Sequence, residues 1–189
     1  MILWCYNEYS LVTGGVLISN GTFKDFNLGG ELETAGEFIF DSIKTYSRIL
    51  SFARQYEVNY PLFHASIGIE RLQKILLYLA HGASPDYAEI SGTFNGLSHI
   101  ELHNKLTECY KINFSNRELH FLIMLSDYYR EFRYSVYRLP NTHSDVRLLL
   151  IDFINMQLKT NITLSSSLRA PRKDLNTLLG ETMGAIVRT

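Results

Sequence analysis

The stretch from Leu97 to Pro140 constrains the fold most. It places His99 and His103 four residues apart, then a polar break at Lys111–Asn116, then an aromatic-rich segment with apolar residues at helical spacing. Ser98 reads as an N-cap and Glu101, three residues on, completes a capping box, so one helix is expected over Leu97–Tyr110. Leu119, Leu122, Leu125, Tyr129, Phe132 and Val136 form one stripe, so a second, longer helix is expected from Asn116 or Arg117 to Arg138, stopped by Pro140.

The same periodicity organises the rest. Leu32, Ala35, Ile39, Ile43, Tyr46, Leu50 and Ala53 predict a helix from Glu31 to Tyr56, broken by Glu57–Pro61. Ala65, Ile69, Leu72, Leu76 and Leu79 predict the next, from Pro61 to His81, with Glu70 and Lys74 paired one turn apart and Gly82 closing it. Residues 83–96 read as a loop with one short turn. Ser144 or Asp145 caps a helix to Lys159, residues 160–172 read as a linker, and a short helix spans Asp174–Val187. Upstream, Gly15–Ser19 and Thr22–Phe26 flank Asn20-Gly21 and predict a small β-hairpin, with Gly29-Gly30 behind it. The expected fold class is all-α: a four- to five-helix up-and-down bundle with a small N-terminal β-hairpin. The expected organisation is residues 1–30 as the extended segment, 31–159 as the bundle, and 160–189 as linker and closing helix.

Composition excludes several function classes. A net charge of −1 gives no global field for nucleic acid, so any such contact needs a local patch. Cys5 and Cys109 lack CxxC spacing, so neither a disulfide framework nor a zinc knuckle is indicated, and a cytoplasmic setting is expected. The first residues lack a basic n-region and a long apolar run, so no signal peptide is expected, and no run reaches the roughly 18 apolar residues of a membrane span. Twelve Tyr and eleven Phe point to helix packing with polar tips reaching partners, or to an interface.

Three constellations could carry chemistry. His99 and His103 share a helix face, a spacing that can grip a metal ion. Their pattern is not HExxH and no third ligand is specified, so no metal or cofactor is expected. The other roles are a hydrogen bond to a neighbouring helix, or a place lining a cleft. Arg130, Arg133 and Arg138 are interleaved with Tyr128, Tyr129, Tyr134 and Tyr137. That alternation can hold phosphates and stack bases, or the aromatics can pack the core while the arginines pair with acids. Arg138 and His143 form an Arg-x4-His pattern, which could cut RNA without metal, histidine exchanging a proton and arginine stabilising the phosphorane. Pro140 lies between them and places the pair on a loop. Gly14-Gly15 and Gly29-Gly30 lack the spacing of a phosphate-binding loop, and no serine nucleophile elbow is present.

In order and spacing, Ile69-Glu70-Arg71-Leu72-Gln73-Lys74, His99-Ile100-Glu101-Leu102-His103-Asn104-Lys105-Leu106, the long helix ending in Arg133-Tyr134, and a closing helix resemble the HEPN superfamily (higher eukaryotes and prokaryotes nucleotide-binding). The resemblance covers Glu31 to Lys159. It implies a helical bundle that commonly forms homodimers. It implies either a metal-independent endoribonuclease of a prokaryotic defence or toxin–antitoxin system, or a catalytically inactive module binding a nucleotide or a protein. The family's catalytic motif maps to Arg138 and His143, and Arg133-Tyr134 matches the Arg-Tyr of many non-toxin members. Arg130, Arg133, Tyr134, His99 and His103 are then the expected RNA- or nucleotide-binding residues. The expected partners are RNA or a nucleotide, a second copy, and an antitoxin or defence-system protein, with no membrane. A purely structural helical interaction domain is the third reading.

Overall fold

The computed structural model describes residues 23–80, 92–132, 145–168 and 171–188. Among them the chain is all-α. Six α-helices run in the order α1 (Phe23–Tyr46), α2 (Gln55–Ala80), α3 (His99–Cys109), α4 (Asn116–Asp127), α5 (Val146–Leu158) and α6 (Arg172–Arg188). A π-helical turn, Tyr128–Phe132, extends α4.

Helices α1 and α2 form an antiparallel hairpin. Arg71 pairs with Glu31, Gly68 meets Ala35 and Ile39, and the Ser42 hydroxyl donates to the Pro61 carbonyl at 2.8 Å. The hairpin closes so tightly that a Cβ on Gly68 would stand 2.7 Å from Ile39 Cγ1 and 3.0 Å from the Ala35 carbonyl oxygen. Small residues at both sides of the crossing let the backbones approach, and the larger Ile39, Val58, Leu62, Ala65 and Ile69 close over it.

Serine caps set where α3 and α4 begin. Ser98 and Glu101 exchange bonds across the first turn of α3, as the sequence spacing requires. Ser115 and Glu118 repeat that capping box on α4. Arg117 then links Glu118 to Glu181 of α6. Asp145 caps α5 by accepting from the Arg147 amide. Lys159 ends α5 in the left-handed region, φ 53°. The side chain of Asn155 bonds both the amide and the carbonyl of Ile162 to fold the chain back. Helix α4 sits centrally: Phe121, Leu122, Met124, Leu125 and Tyr128 are buried, and Phe121 meets Phe153 of α5 edge-on at 5.4 Å.

Three expectations give way. Phe23–Phe26, read as the second strand of a hairpin, are the first turn of α1, and Gly29-Gly30 lie inside that helix. Phe23 and Phe26 are three apart, a spacing that suits a helix as well as alternation suits a strand. The rest of that hairpin lies outside the described residues. The break between the first two helices falls at residues 47–54, not at Glu57–Pro61, and Pro61 is interior to α2. The proline forgoes one backbone bond, to the Glu57 carbonyl, while Val58, Pro61 and Leu62 are buried around it. The stretch read as a linker carries buried Ile162 and Leu168, and α6 adds Leu175, Leu178, Leu179, Met183 and Ile186 to the same core. The closing helix is packed rather than appended.

Two glycine substitutions test the packing. Gly68→Ala is expected to lower unfolding free energy by about 1–3 kcal/mol in urea denaturation, because the Ala35 carbonyl cannot move aside. Gly180→Ala in α6, where an added Cβ meets nothing within 4 Å, is expected to raise it by about 0.5–1 kcal/mol.

Candidate functional site

Both histidines of α3 face inward. His99 is 1% exposed and His103 4% exposed. His99 Nε2 lies 2.9 Å from the Ser66 carbonyl oxygen, which only accepts, so this nitrogen carries the proton. Gln73 donates its side-chain amide to the His99 carbonyl at 3.0 Å, and Tyr110 reaches the Leu76 carbonyl from the far end of α3. The His103 ring stacks on Phe114 at 4.6 Å with 11° between planes. Tyr129 meets the His99 ring edge-on at 5.9 Å. His99 therefore ties α3 to α2 and the π-helical turn, while His103 packs on Phe114 of the α3–α4 connection, and both rings are buried.

Burial pushes both imidazoles below their ordinary value of 6.5. At His99 the Ser66 carbonyl and Glu70 oppose that effect, and Lys74 adds to it. Among the described residues no group of three His, Cys, Asp or Glu side chains could hold a metal ion.

Of the other expected site residues, Arg130 is exposed on the π-helical turn. The Glu101 carboxyl is held below its usual range by the hydroxyl and amide of Ser98, with the charge of Arg130 adding to the effect. Arg133, Tyr134, Arg138 and His143 lie outside the described residues. The aromatic stripe divides: Tyr128 is fully buried in the core, and Tyr129 is half-buried against His99.

A second feature carries chemistry that the sequence reading did not single out. A groove of about 620 Å³ opens where α1 ends and α2 begins. Ile49 and Phe63 contribute apolar lining, Tyr56 and Tyr60 aromatic lining, and Thr45, Arg48, Glu57 and Asn59 polar lining. Tyr56 and Tyr60 are one turn apart on α2 and are 64% and 49% exposed. Tyr60 in turn stacks on His64 at 4.1 Å, and His64 meets Phe38 at 5.2 Å.

The irregular connection between α1 and α2, residues 47–54, is fixed from outside. Arg147 of α5 donates to the Phe52 and Ala53 carbonyls at 3.1 and 3.0 Å. The Leu168 amide bonds the Leu50 carbonyl, and Arg172 bonds that of Ser47. The Tyr128 hydroxyl donates to Asn59 Oδ1 at 2.9 Å. The residues that lead into and out of 133–144 thus both touch this end of the hairpin. Spacing alone hides the groove, since Tyr56 ends the first expected helix and Tyr60 falls inside the expected break.

No family model, curated protein or solved structure matches the chain. No helix among the described residues is long and apolar enough to cross a membrane.

The buried histidines make a pH test. Their folded-state values are depressed, so the unfolded chain binds more protons on acidification. Stability is expected to be complete above about pH 6.5 and to fall as pH drops below that value, before the capping carboxylates titrate. His103→Phe keeps the stack on Phe114 and removes one titrating ring, so its denaturation midpoint is expected to decline less steeply over the same range. An unchanged slope would show that His103 is not one of the groups responsible.

Proposed function

We propose that this chain is a HEPN-like helical protein of a prokaryotic defence or toxin–antitoxin system, acting on RNA as a metal-independent endoribonuclease. The resemblance in residue order from Glu70 through His103 to Arg133-Tyr134 supports the family reading. The observation that carries the RNA reading is the contact of both flanks of residues 133–144 with the hairpin end that bears Arg48, Tyr56 and Tyr60. A cation beside accessible aromatic rings is the chemistry that grips single-stranded RNA.

In this proposal His143 takes the proton of a ribose 2′-hydroxyl as its oxygen attacks the adjacent phosphorus. Arg138 neutralises the charge that builds on the phosphoryl oxygens. The bond to the 5′ oxygen breaks, that oxygen receives a proton, and a cyclic phosphate remains. His99 and His103 act by holding α3, since both are buried. The proposal includes a homodimer, with an antitoxin or another defence protein as partner, and a cytoplasmic setting, with which the free, exposed Cys109 is compatible.

One observation favours a second reading, a catalytically inactive module that binds a nucleotide or a protein. The histidine pair of α3 is buried, and a groove lined by Arg48, Tyr56 and Tyr60 opens where α2 begins.

Purified protein incubated with total RNA in EDTA separates the two. Cutting is expected, with loss of about 10²-fold or more in His143→Ala and in Arg138→Ala. Cutting that EDTA abolishes, or that both variants retain, would sink the endoribonuclease reading. Absence of cutting would leave the binding module.

A further inference from the structure

We propose that the groove between α1 and α2 holds one unpaired nucleotide of an RNA, with its base against Tyr56 and Tyr60 and its phosphate on Arg48. This rests on the reading that the protein acts on RNA. It adds the place and the residues, none of which belongs to the 133–144 stretch.

Two exposed tyrosines one helical turn apart, Tyr56 the more so, leave the fold without apolar burial that a structural role would recover. Their positions on a helix, with Tyr60 backed by His64 and Phe38, keep the rings from collapsing onto each other. A volume of about 620 Å³ is on the scale of a small-molecule site.

The polar groups divide the labour. Glu57 shares the groove, but it is engaged by Arg54 at 3.4 Å and by the Tyr56 hydroxyl. Arg48 is exposed and has no ion pair with a carboxylate among the described residues, so its charge is available to a phosphate. Asn59 accepts the Tyr128 hydroxyl on Oδ1, which leaves its amide N–H groups to donate to a carbonyl on a base edge. One cation, one oriented amide donor and a pair of rings match one nucleotide.

Isothermal titration of the full chain at pH 7.5 tests this, with AMP, GMP, CMP, UMP, the corresponding nucleosides, and inorganic phosphate as probes. At least one nucleoside monophosphate is expected to bind tenfold or more tightly than phosphate. Tyr60→Ala is expected to weaken it about tenfold, the loss of one base–aromatic stack. Arg48→Ala is expected to weaken the nucleotide and leave the matching nucleoside unchanged. Both side chains are exposed, so unchanged thermal midpoints will show that the variants fold.

Failure to bind any probe would overturn the assignment. So would binding that both variants retain, or phosphate binding as tightly as the nucleotides. A change of oligomeric mass in Tyr56→Ala or Tyr60→Ala, with no nucleotide heat in the parent, would give the groove to a second copy instead. Nucleotide binding that persists while RNA is never cut keeps this inference and removes the endoribonuclease reading. RNA cutting with no nucleotide bound at the groove does the reverse.

Discussion

The close approach of α2 to α1 at Gly68 is the constraint on which the rest of the structure depends. With no side chain at that position, the Ala35 carbonyl and Ile39 come within a distance that a methyl group could not occupy. Interiors pack near crystal density, so a shift at this crossing has no slack to absorb it. The crossing sets the positions of Val58, Leu62, Ala65 and Ile69, which pack with the central α4. It also sets how far apart α1 and α2 stand where the groove opens.

The connection between those helices is irregular, and irregular backbone near a core must find partners for its carbonyls. Here they come from distant parts of the chain: Arg147 for Phe52 and Ala53, the Leu168 amide for Leu50, and Arg172 for Ser47. Phe52 and Ile49 are drawn into the core beneath. A connection tied at four carbonyls holds the end of α1 and the start of α2 in place.

Helix existence was legible because 3- and 4-residue periodicity and S-x-x-E caps are local. The box at Ser98–Glu101 is legible in the sequence, and its twin at Ser115–Glu118 carries the same signature. Boundaries were less legible. Pro61 looks like a break, but tertiary burial of α2's first turns outweighs the one bond it forgoes. The closing helix looked appended because nothing in its sequence announces which neighbours complete its core. The candidate site was legible only in part. That His99 and His103 share one face follows from their spacing, whereas the groove is assembled from residues 45–63 by a turn that periodicity does not place. It is an emergent property of where α1 stops.

The proposed place of RNA contact is one end of the α1–α2 hairpin. Ultraviolet crosslinking of the full chain to a short 4-thiouridine RNA, followed by mass spectrometry of the tryptic peptides, tests this most directly. The crosslinks are expected on the peptide that carries Tyr56 and Tyr60, with little yield on α6, whose apolar face is buried in the core. Crosslinks spread evenly over the chain, or concentrated on α6, would contradict it.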